Sequence, residues 1–295
     1  MNIVVCIKQV PDSTHIRVHP VTNTIMRQGV PAIINPYDLF AIEEALRIRD
    51  AHGGKVTVIT MGPPPAAVAL RKALSYGCDE AVLITDKIFS GADTLATSYV
   101  LASAIAMLSR EAPVDLVFTG KQTIDGDTAQ VGPGIAKRLD LELLTYVSKI
   151  VLVDRVGGKI QVERRAEGGV QLLETRMPAL ITMLEGTNEI RFGSAPDMFR
   201  AARAEIRTWD RQSAGIEDLK KVGLKGSPTI VSRVFGPTPR AEKAQQIAFD
   251  PATPQSATDT LLEKVLAAIP KVGKELERHK AIGHGDAKHS GASHE

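Results

Sequence analysis

Apolar residues in the first 120 positions fall into short unbroken runs separated by amphipathic stretches. Residues 3–10 open on Ile3-Val4-Val5-Cys6-Ile7, a run buried on both faces if it is a strand, and so an interior one. A polar excursion through His19 follows. Asn35-Pro36-Tyr37-Asp38 then reads as a helix start, with Asn at the N-cap, Pro at the first helical position and an acid in the first turn. The helix should run over 39–51, with Leu39, Ile42 and Leu46 inward, a solvent-side Glu43–Arg47 pair and a stop at Gly53-Gly54. Strands are expected at 55–60, 80–85 and 115–119, and helices at 66–76 and 93–110. Strand and helix alternating at this spacing predict an α/β fold: a Rossmann-like, mostly parallel sheet with helices on both faces.

The period changes after residue 143. Segments 148–155, 159–165 and 170–174 are divided by Gly157-Gly158 and Gly168-Gly169, which read as hairpin turns and predict an antiparallel extension over about 145–185. Periodicity weakens past Gly186, 237–255 looks irregular, and one short amphipathic helix spans 257–269. The expected organisation is a nucleotide-binding α/β domain over 1–226, a docking segment at about 186–200, a C-terminal arm over 227–270 that lies on a partner chain, and a flexible tail over 271–295.

Composition narrows the function classes. With 36 Lys+Arg against 34 Asp+Glu, net charge recommends neither nucleic acid nor an anionic membrane. Aromatics are only 4%, too few for a base-stacking platform. Cys6 and Cys78 are the only cysteines, which excludes a disulfide scaffold or a Cys-rich metal site built by this chain alone. No apolar run reaches a membrane span, and the N-terminus enters a strand at once, so a cytoplasmic chain is expected. His15 and His19 read as surface residues, and His279, His284, His289 and His294 as part of a solvated tail.

The segment with chemical content is Gly120-Lys121-Gln122-Thr123-Ile124-Asp125-Gly126-Asp127-Thr128-Ala129-Gln130-Val131-Gly132. It follows a buried strand and precedes a helix, where open α/β sheets bind ligands. Asp127 or Thr128 is placed to cap that helix, whose free N–H groups would face a phosphate. Gly126 and Gly132 would let backbone approach a ligand. A capped helix with no ligand has the same local spacing. The run is not a Walker loop, and no GxGxxG follows the first strand. A second strand-to-helix junction holds Asp93, Thr94 and Thr97, with Asp93 as N-cap and both threonines on one face. Cys6 reads as a core residue, and no Ser/His/Asp order or carboxylate pair stands out. A binding function is favoured over side-chain hydrolysis, and no catalytic residue or metal ligand is assigned.

Taken in order, Val5-Cys6-Ile7-Lys8-Gln9-Val10, Asn35-Pro36-Tyr37-Asp38, Glu43-Glu44-Ala45, Thr60-Met61-Gly62-Pro63, Leu70-Arg71-Lys72-Ala73-Leu74, the 120–127 run, Val162-Glu163-Arg164 and Gly168-Gly169 resemble the β subunit of electron transfer flavoprotein, to about Arg207. The resemblance implies a partner α subunit carrying a redox FAD, and a β crevice holding AMP in conventional members or a second FAD in the electron-bifurcating and nitrogen-fixation-type branch. It places nucleotide contacts on Cys6 (through its backbone), Asn35, Val58, Met61 and the loop 120–131. Asp-Gly-Asp at 125–127 and Val222-Gly223-Leu224-Lys225-Gly226-Ser227-Pro228-Thr229 resemble the second branch. There Asp93, Thr94 and Thr97 would add polar contacts for a ligand larger than AMP. That branch implies electrons moving between NADH, ferredoxin or flavodoxin, and an acyl-CoA dehydrogenase or quinone oxidoreductase. In 188–199, which resembles the family's docking segment, Ala195 stands where conventional members place a leucine. The competing expectations are a conventional single-FAD carrier with structural AMP and a nucleotide-binding module without redox function.

Overall fold

The computed structural model describes residues 1–12, 17–18, 25–26, 31–232 and 245–283, without the side chains of 17–18, 25–26 and 277–283. His15, His19, His284, His289 and His294, and the side chain of His279, lie outside the described set. In chain order the strands are β1 (Asn2–Cys6), β2 (Gln9–Pro11), β3 (Arg17–Val18), β4 (Ile25–Met26), β5 (Ala32–Ile34), β6 (Lys55–Met61), β7 (Glu80–Ile84), β8 (Leu116–Gly120), β9 (Glu142–Asp154), β10 (Lys159–Ala166), β11 (Gly169–Arg176), β12 (Ala179–Met183) and β13 (Arg207–Trp209). The helices are α1 (Pro36–His52), α2 (Ala67–Ser75), α3 (Thr94–Glu111), α4 (Val131–Leu139), α5 (Ala195–Arg203), α6 (Pro254–Ala268) and α7 (Pro270–Gly283). The chain divides into two units, 1–236 and 237–295, ten residues beyond the boundary expected from sequence.

In the first unit nine strands form one sheet in the order β11-β10-β9-β12-β8-β1-β6-β7-β13. All neighbours from β9 to β13 are parallel, and only β9–β10 and β10–β11 are antiparallel. β1 shows why the apolar run is continuous. Ile3 and Val5 enter one core with Ile42, Leu46, Leu70 and Leu74 of α1 and α2. Val4 and Cys6 enter a second core with Val100, Ile105 and Ile135 of α3 and α4. Both faces are covered, so nearly every position of the strand must be apolar.

The expected strand 3–10 is broken at Ile7-Lys8: β1 ends at Cys6, and β2 leaves the main sheet to pair with β5. The Lys8 N–H donates to the Asp38 carboxylate at 2.8 Å instead of to a strand. The hairpin glycines stand as expected, Gly158 and Gly168 having φ of 64° and 83°. The extension differs, because β12 runs back into the parallel core between β8 and β9. β13 adds an edge strand beside β7 that sequence periodicity did not predict. Glu43 is not on the solvent side: its side chain is 5% exposed and bonds Arg191 and Arg47. In the second unit α7 carries helix to residue 283, through part of the stretch expected as a tail. Among the described residues no helix is long and apolar enough to cross a membrane.

Candidate functional site

From β1 the chain moves to β6 and β7 on one side, then returns through α3 to β8 on the other. The carboxyl ends of β1 and β8 therefore mark a topological switch point, where open sheets of this kind hold ligands. The loop 121–130 lies at the end of β8, and α4 follows it.

The N-terminal turn of α1 holds that loop. Asn35 occupies the N-cap position but makes no side-chain cap. Its Nδ2 donates to the Gln122 carbonyl at 2.8 Å, and its Oδ1 accepts from the Ile124 N–H at 3.2 Å. Asp38, 4% exposed, accepts the Lys8 N–H at 2.8 Å and the Gly120 N–H at 3.1 Å. The two side chains thus tie the ends of β1 and β8 and the first half of the loop to one helix turn. Burial pushes the Asp38 carboxyl up to about 7, against the hydrogen bonds from Asn35, Lys8 and Gly120 and the charge of Lys8. Outside this turn, Lys8 Nζ donates to both oxygens of Asp125 at 2.8 Å. Burial raises the Asp125 carboxyl, but Lys8 outweighs it and holds the group below its usual range. Lys121 lies against the rings of Tyr37 and Tyr146, at 5.8 and 5.4 Å from their centroids.

The second half of the loop corrects the expected capping. Neither Asp127 nor Thr128 caps α4: the N-cap residue is Gln130, without a side-chain cap. Asp127 Oδ1 instead accepts from Gln122 Nε2 at 2.8 Å. Asp127 and Ala129 have φ of 50° and 54°, a region that non-glycine residues seldom occupy and that is enriched at ligand clamps. The N–H groups of 128–132 donate to no partner among the described residues. A row of free amides at a helix N-terminus suits a phosphate group. Gly126 has room for a side chain, its nearest neighbour being Thr123 Oγ1 at 3.5 Å. Gly132 has a packing role that sequence did not show: an added Cβ would lie 2.9 Å from Thr119 Oγ1 and 3.0 Å from Thr182 Cγ2. It lets α4 pack on β8 and β12.

The α3 junction lies beside this row, since Thr94 Oγ1 donates to Gln130 Oε1 at 3.0 Å. Asp93 caps α3, its Oδ1 accepting the Leu95 and Ala96 N–H groups. Its Oδ2 accepts the N–H and hydroxyl of Thr229 at 3.1 and 2.9 Å. Burial opposes ionisation, and these hydrogen bonds outweigh it to keep the carboxyl below its usual range. Both oxygens of Asp93 and the Thr94 hydroxyl proton are engaged within the chain, so at most the Thr97 hydroxyl and the acceptor side of the Thr94 oxygen remain for a ligand. Of the remaining candidates, Met61 closes β6 beside the switch point, while Val58 is fully buried three residues earlier. Cys6 ends β1 and presents its thiol to the core; burial, helped by the charge of Asp38, raises that thiol far above its ordinary range. Sequence reasoning missed Asp38 and Thr229. An acid after Asn-Pro is an ordinary first-turn residue, and Thr229 reaches Asp93 across 136 positions.

Among the described residues no group of His, Cys, Asp and Glu is arranged to hold a metal. The family model described as "Electron transfer flavoprotein domain" matches residues 22–214. The chain is 63% identical to Protein FixA of Azotobacter vinelandii over 278 residues, 94% of this chain and 99% of that one. Identity to Protein FixA of Azorhizobium caulinodans is 64% over 94% of this chain and 98% of that one. Against the electron transfer flavoprotein subunit beta of Clostridium acetobutylicum it is 48%, over 79% of this chain and 87% of that one. The chain belongs to the electron transfer flavoprotein family. Within it the chain is of the β-subunit kind and of the FixA type.

Proposed function

We propose that the chain is the β subunit of a heterodimeric electron transfer flavoprotein, with FAD rather than AMP in the switch-point crevice. Working with an α subunit, it would pass electrons between NADH, ferredoxin or flavodoxin, and an acyl-CoA dehydrogenase or quinone-linked acceptor. The observation that carries this reading is the row of unpartnered amides at 128–132 beside the carboxylate-free Gly126. A diphosphate gains hydrogen bonds there, and Gly126 adds no carboxylate to those of Asp127 and the Lys8-paired Asp125. When bound, the flavin supplies the hydride and electron chemistry. The chain's own residues bind and orient: Asn35 and Asp38 hold the loop, the α4 N-terminus faces the phosphates, and Thr94 and Thr97 present hydroxyl oxygens.

A single-FAD carrier with AMP in this crevice is the second reading. The engagement of both Asp93 oxygens favours it, because fewer polar groups remain for a ligand longer than AMP. A cofactor count decides between them. The αβ pair, purified gently and supplied with excess FAD, should contain two FAD. One FAD with one tightly held AMP, unmoved by added FAD, overturns the first reading in favour of the second.

A further inference from the structure

The Asp38 carboxylate is buried where β1 and β8 diverge, with one oxygen on each strand's outgoing amide. Lys8 lies outside the strands, and its N–H has no backbone acceptor among the described residues. Gly120 is packed against this carboxylate so closely that an added Cβ would come 2.5 Å from Asp38 Oδ1 and 2.6 Å from Tyr37 Cβ. The loop thus leaves the sheet directly over Asp38. Two acceptor oxygens facing two N–H donors is the arrangement an ionised carboxylate makes; protonation turns one oxygen into a hydroxyl and weakens one of the two holds.

We propose that Asp38 is a positioning residue for the nucleotide crevice: ionised, it holds the ends of β1 and β8 and sets the loop 121–130 in its binding form, and uptake of a proton releases that form. The proposal rests on reading the crevice as a nucleotide site. The surroundings leave Asp38 as the titrating group. The elements packed on α1 are β1, β6, β8 and β12. β8 and β12 carry no ionisable side chain, β6 has Lys55 at its far end, and β1 has the buried Cys6 thiol. Lys8, just past β1, is the nearby cation, with its ammonium held by Asp125. Lys121 leans on two tyrosines beyond Gly120. The folded value of about 7 lies above the ordinary 3.8. The contribution of Asp38 to stability is therefore full below the ordinary value and lost as pH rises through about 7. The ionised, loop-setting form is the one the fold itself disfavours, so a nucleotide that requires it must draw the proton off.

The test uses the αβ complex and FAD, whose diphosphate does not titrate near neutrality. If only the ionised form binds, apparent affinity should fall about tenfold between pH 8 and pH 6, the ratio of ionised fractions for a group titrating near 7. Asp38→Asn, which presents one donor and one acceptor, should bind at pH 8 at least as weakly as wild type does at pH 6, with no slope between. Gln122→Ala, which removes the hold on Asp127 in the same loop and makes no hydrogen bond to Asp38, should bind more weakly and keep the slope. A flat wild-type profile, or an unchanged slope in Asp38→Asn, overturns the proposal. Should Asp38→Asn fail to fold, the amide resonances of Lys8 and Gly120 in wild type decide: a shared titration near pH 7 supports the proposal and unmoved resonances overturn it. Those resonances need no nucleotide. FAD failing to bind wild type at any pH would count against the functional reading, and the resonances would still judge Asp38.

Discussion

Glu43 and Arg191 show how much one buried pair can organise. Glu43, on α1, accepts from Arg191 Nε at 2.8 Å and from the Arg191 N–H at 3.1 Å, while Arg191 Nη1 also reaches Asp50 at 2.8 Å. The pair anchors the root of the segment 188–199 on α1 and leaves Phe192 and Phe199 95% and 67% exposed. Burial drives the Glu43 carboxyl up, but the hydrogen bonds from Arg191 and Arg47 outweigh it and hold the group below its ordinary 4.5. Removing Arg191 strands a buried carboxylate; with Arg47 still in place, the cost should be about 2–3 kcal/mol, below the usual figure for a broken buried pair. For a chain of this size that is a fall in Tm of about 4–10 °C. A group with a depressed folded value adds stability above its ordinary value and loses it as pH falls through the folded one. The Tm gap between Arg191→Ala and wild type should thus be full at neutral pH and close in acid as Glu43 takes up its proton, below its ordinary 4.5. A gap that stays constant into acid would show that the charge pair is not the cause. Glu43 was misplaced on the solvent side and Asp38 was read only as a first-turn acid, for the same reason. An amphipathic count assigns charges to solvent, and it has no means of seeing a partner that arrives from 82 or 148 positions away.

At the scale of elements, the parallel core was legible because its strands are buried on both faces and read as unbroken apolar runs. β12 was not. Ala179–Met183 is such a run, but its place between β8 and β9 is settled by long-range pairing that no local pattern records. β13 is only three residues long, too short for any period. The two loop glycines, alike in sequence, separate once packing is known. Gly132→Ala drives a methyl into Thr119 and Thr182, and overpacking of this kind costs about 1–3 kcal/mol. Gly126→Ala meets only an ordinary contact with Thr123, and the Gly126 φ is not left-handed, so stability should be unchanged within about 0.5 kcal/mol. Denaturant midpoints of the two variants test this directly. Equal losses would mean that the α4–β8 packing does not set the tolerance at Gly132.

For the molecule as a whole, the two units differ in what they can bury. The first has a core on each face of its sheet. In the second, none of the described residues of α6 and α7 is buried. Leu261 and Val265 on α6, Ile269 between the helices, and Val272 and Leu276 on α7 are all 36–52% exposed, so each helix carries an exposed apolar stripe. Helices of 15 and 14 residues are marginal in water without a surface to pack on, and exposed stripes of this kind mark interaction sites. These helices cover part of the arm expected over 227–270 and part of the tail expected over 271–295, and the α subunit is the partner we propose for them. Leu261→Asp with Val265→Asp should abolish co-purification with the α subunit, because each charge would be desolvated in an apolar seam. The main thermal transition of the chain should stay in place, since both cores are built from residues of the first unit. Expressed alone, the wild-type chain should self-associate or precipitate, and the double variant should remain dispersed. Stoichiometric pairing of the double variant with the α subunit would place the interface elsewhere, leaving the stripe without the role assigned to it.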